Sequence, residues 1–262
     1  MGRIWQRIFN NIYISNNMNR KFSIIIPSFQ RPDKAEKAVN SIFQQGYADV
    51  EVILVNDGSH PQFDKEYDKF VDDWQRKRKD LIYIKQRRQQ RMIARNLGMR
   101  AISNDWIWHL DDDDELMTGS IDAINDLINK NESYVLFAGF AQFYAKDGQK
   151  LRQLKPFVPK MLENGAFQHF KSGTITMGQF VFHKDCLDVI GYYPHTPSYG
   201  EFAKLAGIKD YGEKEPDERH KSKWIEVMGN PFGDDYYIYY KLSRHYQVIT
   251  TDEVVLKKIC RH

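Results

Sequence analysis

The chain has 262 residues and a mass of 31.0 kDa, of which 42% are hydrophobic, 14% aromatic and 28% charged; this excludes disordered and collagen-like architectures. With 38 Lys and Arg against 35 Asp and Glu the net charge is +3, so bulk charge demands neither nucleic acid nor membrane as a partner. Cys186 and Cys260 form no C-x-x-C pattern, which excludes a disulfide scaffold and points to a reducing, cytoplasmic setting.

No segment reaches the ~20 continuous apolar residues of a membrane-spanning helix. In residues 1–20, Ile4, Trp5, Ile8, Phe9 and Ile12 recur at helical spacing beside Arg3 and Arg7. Two readings stand: a tail packed on the domain, or an amphipathic helix on an anionic membrane surface. Met18 is an alternative start, just ahead of the first strong structural signal.

That signal is Phe22 to Ile26, a continuous apolar run stopped by Pro27 and read as a buried parallel strand. A helix follows, with Pro32 in its first turn, Ala35, Ala38, Val39, Ile42 and Phe43 on one face, and Gly46 at its close. Val50 to Val55 is the second buried strand, with Asn56-Asp57-Gly58-Ser59 as the turn after it. Phe63, Tyr67, Phe70, Val71 and Trp74 mark an amphipathic helix, and Leu81 to Ile84 a third strand. Residues 90–103 form a helix, Trp106 to Leu110 a fourth strand, and Asp111 to Asp114 its turn. Ile121, Ile124, Leu127 and Ile128 mark the next helix.

Beyond about residue 132 the alternation fades. Tyr134 to Phe137, Gln142 to Tyr144 and Thr174 to Phe182 read as strands, with a turn at Asp147-Gly148. Residues 194–223 read as a long surface excursion. The βα alternation predicts an α/β fold, a mostly parallel sheet with helices on both faces and a small antiparallel element. Residues 21–262 are expected to form one domain, its regular βα half over 21–131 and its substrate-specific parts over 132–262. Ligands of open sheets collect at the carboxyl ends of the strands, where the motifs after Ile26, Val55 and Leu110 all fall.

Four features there carry chemistry. In isolation Asp111 to Asp114 is a solvated turn; at a strand end its carboxylates suit a hard divalent cation with phosphate as co-ligand. Asp57 is either a turn residue before Gly58 or an acceptor for a base, with Phe29 beside Pro27 and Ser28 supplying a flat apolar contact. The basic stretch Arg76 to Arg100 is mostly a solvated face, but Arg91 and Arg95, four apart on a helix, can point at a diphosphate. Asp234-Asp235 precedes an aromatic-rich helix ending near Tyr246; one Asp can cap it while the other serves as general base.

The ordered set FSIIIPSF, VILVNDGS, ARNLGMRA, IWHLDDDDEL, VIGYY and DDYYIYYKLS resembles glycosyltransferase family 2 from Phe22 to about Tyr246. The resemblance implies the GT-A fold and a metal-dependent, inverting transfer from a nucleoside diphosphate sugar, UDP by family habit, to an acceptor hydroxyl in surface polysaccharide or glycan synthesis. It further implies a nucleotide-binding half over 21–131 and an acceptor-binding half over 132–262, with Asp57 contacting the base, Phe29 stacking on it and Asp111 approaching the ribose or diphosphate; Pro27, Asp112, Arg91 and Arg95 complete the expected nucleotide-sugar site. Asp113 would hold Mg²⁺ or Mn²⁺, and Asp235 would be the general base. The chain ends Cys260-Arg261-His262 where the family commonly shows Arg-x-His, so His262 is a weaker candidate metal ligand. Asn56 replaces a customary Asp. The expected partners are the donor and a glycan, lipid-linked glycan or protein acceptor, with no nucleic acid, and with peripheral membrane contact through residues 1–20. The competing classes are a non-catalytic nucleotide-sugar or glycan-binding protein and a nucleotidyltransferase on a related fold, the latter releasing pyrophosphate from a triphosphate.

Overall fold

A computed structural model describes residues 19–160, 175–193 and 234–260, with side chains in the last stretch described from Tyr237 onward. The N-terminal tail up to Met18, the excursion over 194–223 and His262 lie outside the described residues. In chain order the elements are β1 (Phe22–Ser28), α1 (Pro32–Phe43), β2 (Val50–Asp57), α2 (Pro61–Gln75), β3 (Leu81–Gln86), α3 (Arg91–Arg100), β4 (Trp106–His109) and β5 (Asp114–Leu116). These are followed by α4 (Ser120–Lys130), β6 (Leu136–Tyr144), β7 (Lys150–Leu154), β8 (Phe180–His183), α5 (Cys186–Ile190), α6 (Asp234–His245) and β9 (Val248–Ile259).

One sheet runs in the order β3-β2-β1-β4-β8-β6-β9-β5, with β7 paired to β6. Strands β1 to β4 are mutually parallel, β8 enters antiparallel beside β4, and β9 returns parallel to β6. Alternation along the strands divides the core. Ile24 and Ile26 of β1 face α1, α2 and α4 together with Ala38, Tyr67 and Ile121, whereas Ile25 faces α3, α5 and α6 with Ala94, Ile190 and Tyr239. The helices thus lie on both faces, as the unbroken apolar strands predict. Gly98 sits where α3 crosses β1, and a Cβ there would overlap the Ile25 side chain. At the opposite edge from the motif loops, buried Glu51 accepts hydrogen bonds from the Ser103 N–H and hydroxyl, 2.6 Å each, and from Ser23, tying β1, β2 and the α3–β4 connection together.

Several expectations need correction. Pro27 does not stop β1. The Ile25 carbonyl accepts from Leu110 N–H, so the odd residues of β1 face β4, and Pro27, having no N–H, points past the end of that strand. Asn56 and Asp57 lie within β2, paired with Lys85 and Gln86, and the chain turns only at Gly58, φ +70°. The helix expected over 90–103 is confined to Arg91–Arg100. The two strands expected over 134–144 are one, and the strand expected from Thr174 begins only at Phe180, after a turn. The sequence reading missed β9 altogether. Its alternation is interrupted where the pairing with β6 slips around Gly139, opposite exposed Asp252 and Glu253.

Arg20, just outside β1, is fastened to α4 and its end: its Nε donates to Asn129 at 2.8 Å and its guanidinium pairs with Glu132 at 3.1 Å. Among the described residues no helix is long and apolar enough to cross a membrane.

Candidate active site

The carboxyl ends of β2, β1 and β4 lie side by side, and their loops carry the motif residues. At the end of β2, Asp57 is 3% exposed. Its Oδ1 accepts from Gln86 Nε2 at 2.7 Å and from the Gln89 N–H at 2.8 Å, while Oδ2 lies 3.9 Å from Arg88 Nε. Arg88 in turn covers the Phe29 ring, its guanidinium carbon 3.3 Å from the ring centroid. A base that stacks here therefore meets Arg88 as well as Phe29. Pro27 carries the chain to them within β1.

Asn56 donates to Asp64 Oδ1 at 3.4 Å, where an Asp would set two carboxylates against each other. Its amide donates to the Tyr83 hydroxyl at 3.0 Å while its oxygen accepts the Ser59 N–H at 3.0 Å. Ser59 then accepts from the N–H of Gln30 at 2.8 Å, joining the β1 and β2 loops. Gln30 (φ +56°) and Gln90 (φ +75°) both stand in the left-handed region just before helices, a costly backbone state for non-glycine residues. Gly58 is held there too, and a Cβ on it would overlap the Arg88 backbone nitrogen. Gly58→Ala is expected to cost about 2–4 kcal/mol from left-handed strain and overpacking together, and to displace Arg88. Thermal unfolding and nucleotide titration of the variant check this; wild-type values in both would show that the loop is slack.

At the end of β4 the four aspartates are individually tied. Asp111 receives the guanidinium of Arg95, which is fully buried, and its Oδ2 lies 3.7 Å from Lys258 Nζ. Burial pushes the Asp111 carboxyl upward, but the positive field of Arg95, Lys258, Arg91 and Arg31 outweighs it and holds the group well below the ordinary carboxylate range. Arg95 thus grips Asp111 from beneath the surface, while Arg91 is exposed at the start of α3. Asp112 is buried, accepts from Ser28 Oγ at 2.7 Å and meets Arg31 Nη2 at 2.6 Å. Burial pushes its pKa up to about 6 against the pull of Arg31 and Ser28.

Because Ser28 has one proton and gives it to ionised Asp112, the Tyr67 hydroxyl donates to Ser28, 2.6 Å away, and accepts from the Arg31 N–H at 3.2 Å. Asp113 is 13% exposed at its side chain and lies 3.2 Å from Arg31 Nη1. Asp114 belongs to β5 and pairs with Lys258 at 2.5 Å. Burial opposes the charge on Lys258, but the carboxylates of Asp114 and Asp111 outweigh that and keep the amine protonated far above neutrality. His109, the last residue of β4, is buried and neutral, its pKa driven down by burial and by Arg95.

The structure thus brings Pro27, Phe29, Asp57, Arg91, Arg95, Asp111, Asp112 and Asp113 to one sheet edge. Asp235 lies in the first turn of α6, its side chain outside the described residues. Arg31, Arg88 and Lys258 were not singled out by the sequence reading. Arg31 directly follows the first motif and was within its reach; Lys258 carries no local signal.

The family model "Glycosyl transferase family 2" matches residues 23–191, well over half of the chain. The chain belongs to glycosyltransferase family 2. It is 29% identical over 116 residues to a GalNAc(5)-diNAcBac-PP-undecaprenol beta-1,3-glucosyltransferase of Campylobacter jejuni, covering 44% of this chain and 37% of that protein. It is 26% identical over 141 residues to the uncharacterized glycosyltransferase EpsJ of Bacillus subtilis, covering 54% and 38%. The family 2 chain therefore spans less than half the length of these curated relatives. Crystal structures of S. aureus TarS 1–349 share its fold. The complex with UDP-GlcNAc superimposes with a TM-score of 0.58 at 13% identity, covering 92% of this chain and 59% of that one. A second crystal structure of TarS 1–349 gives 0.58 and 13%, covering 91% and 60%. The fold is of the GT-A type.

Proposed function

We propose that this glycosyltransferase moves a sugar from a uridine diphosphate sugar to an acceptor hydroxyl in glycan or polysaccharide synthesis, inverting the anomeric carbon with the help of Mg²⁺ or Mn²⁺. The observation that carries the reading is the pairing of Asp57 and Arg88 beside the aspartate turn. Asp57 Oδ2 is an acceptor and Arg88 a donor 3.9 Å apart, which together match the adjacent N–H and C=O on the edge of uracil or guanine. Adenine and cytosine present the reverse order. Guanine would bring two N–H groups, but Asp57 Oδ1 is already engaged by Gln86 and Gln89, so uracil fits better. The TarS structures with UDP and with UDP-GlcNAc support the same donor class.

Among the described residues no three His, Cys, Asp or Glu side chains are grouped to hold a metal ion. The donor set suits a hard cation nonetheless, since Mg²⁺ is commonly held by one or two carboxylates with substrate phosphates and water completing its shell. Asp113, whose side chain is partly exposed and 3.2 Å from Arg31 Nη1, would hold it. Such an ion supplies positive charge to the departing diphosphate. Arg91 and the N-terminus of α3 add to that field. Asp235 takes the acceptor proton as the acceptor oxygen bonds to the anomeric carbon and the bond from that carbon to the diphosphate oxygen breaks. Residues 21–262 act as one unit in this reading, because β6, β8 and β9 extend the sheet that β1 to β4 begin.

Calorimetric titration with UDP, GDP, CDP and ADP, each with Mn²⁺ and then with chelator, tests the proposal. UDP should bind with metal and at least about tenfold more tightly than the others, the discrimination that one mispaired base edge costs. Failure of every nucleotide to bind folded protein in Mn²⁺ would refute it.

A further inference from the structure

We propose that Lys258 is a positioning residue of the transfer reaction, a built-in cation that braces Asp111 and Asp114 so that Asp113 alone meets the divalent ion; this rests on the function proposed above. Lys258 lies on β9, directly opposite Asp114 of β5 in the antiparallel register, so the two side chains emerge on the same face. Its Nζ is 2.5 Å from Asp114 Oδ2 and 3.7 Å from Asp111 Oδ2.

The bracing has a specific geometry. Arg95 holds Asp111 through Oδ1, and Lys258 Nζ stands 3.7 Å from Oδ2. Ser28 and Arg31 fix Asp112, and Arg31 also meets Asp113. Four consecutive carboxylates are thereby matched by Arg31, Arg95 and Lys258, two of them from the loop and helix of the first half and one from the last strand. Loss of the Lys258 charge leaves Asp111 and Asp114 facing each other without their shared cation. The two residues that flank Asp112 and Asp113 then lose the tie that fixes them to β9. The orientation of Asp113 is therefore the property that Lys258 controls, much as partners behind a metal ligand do elsewhere.

The lysine stands away from the Asp57–Arg88 end of the site. It should leave metal-free nucleotide contacts alone and affect only the gain in affinity that metal brings. The test is UDP titration of the full chain and of Lys258→Met and Lys258→Arg, each in Mn²⁺ and in chelator. Lys258→Met should lose about tenfold or more of the metal-dependent gain with chelator-state affinity unchanged, and Lys258→Arg should recover most of it. Equal weakening in both conditions, or none in either, overturns the assignment. If Lys258→Met does not fold, Asp114→Asn, which removes the anchor of the lysine, should show the same selective loss, and a wild-type gain there overturns it as well. A wild-type protein with no metal-dependent gain at all would sink the proposed function and this inference together; a normal wild-type gain kept intact in the variants sinks this inference alone.

Discussion

Asp113→Asn lowers transfer by about 10³-fold or more, because it neutralises the carboxylate proposed to hold the divalent ion against the leaving diphosphate. The residue is partly exposed and contacts Arg31 at 3.2 Å, whereas Asp111, about equally exposed, is gripped by Arg95 and Asp112 is buried against Ser28. The variant should therefore fold and melt near the wild-type temperature, an outcome not expected of Asp112→Asn, whose hydrogen-bond chain runs through Ser28 and Tyr67 into the N–H of Arg31. Initial rates over a Mn²⁺ series would separate the two explanations of lost activity. A higher Mn²⁺ requirement with intact thermal stability supports the assignment; an unchanged Mn²⁺ dependence and rate refutes it.

Asp235→Asn is expected to abolish measurable transfer, a loss of about 10²–10⁴-fold for removal of a general base, while UDP affinity in Mn²⁺ stays at the wild-type value. The residue sits in the first turn of α6, whereas the proposed donor contacts lie on β1 and β2, on α3 and in the loop after β4, so base removal and donor binding are expected to separate. The discriminating measurement is paired: turnover of donor with acceptor, and calorimetric affinity for UDP. A matching fall in both would move Asp235 from proton transfer to donor binding.

Much of this site was readable before any coordinates. The runs Phe22 to Ile26 and Val50 to Val55 are apolar without interruption, which only a strand covered on both faces tolerates, and the helical spacing between them leaves one right-handed way to connect them. Strand direction then puts Asp57 and Asp111 to Asp114 on one edge. Pro27 misled because a proline without an N–H was read as a stop, when the side it faces has no partner strand to require one. β9 escaped because the slip around Gly139 breaks its period of two.

The sequence by itself thus determined which carboxylates share an edge, since hydrophobic period and chain direction are short-range properties written within a dozen residues. Only the tertiary structure decided which partner each carboxylate meets there. Lys258 reaches Asp114 across a sequence separation of 144, Arg95 is turned inward to Asp111 and Arg88 lies over Phe29. Such ion pairs and stacks depend on Coulomb and contact forces that act over a few ångströms of space, and the spacing of residues along the chain carries no record of them.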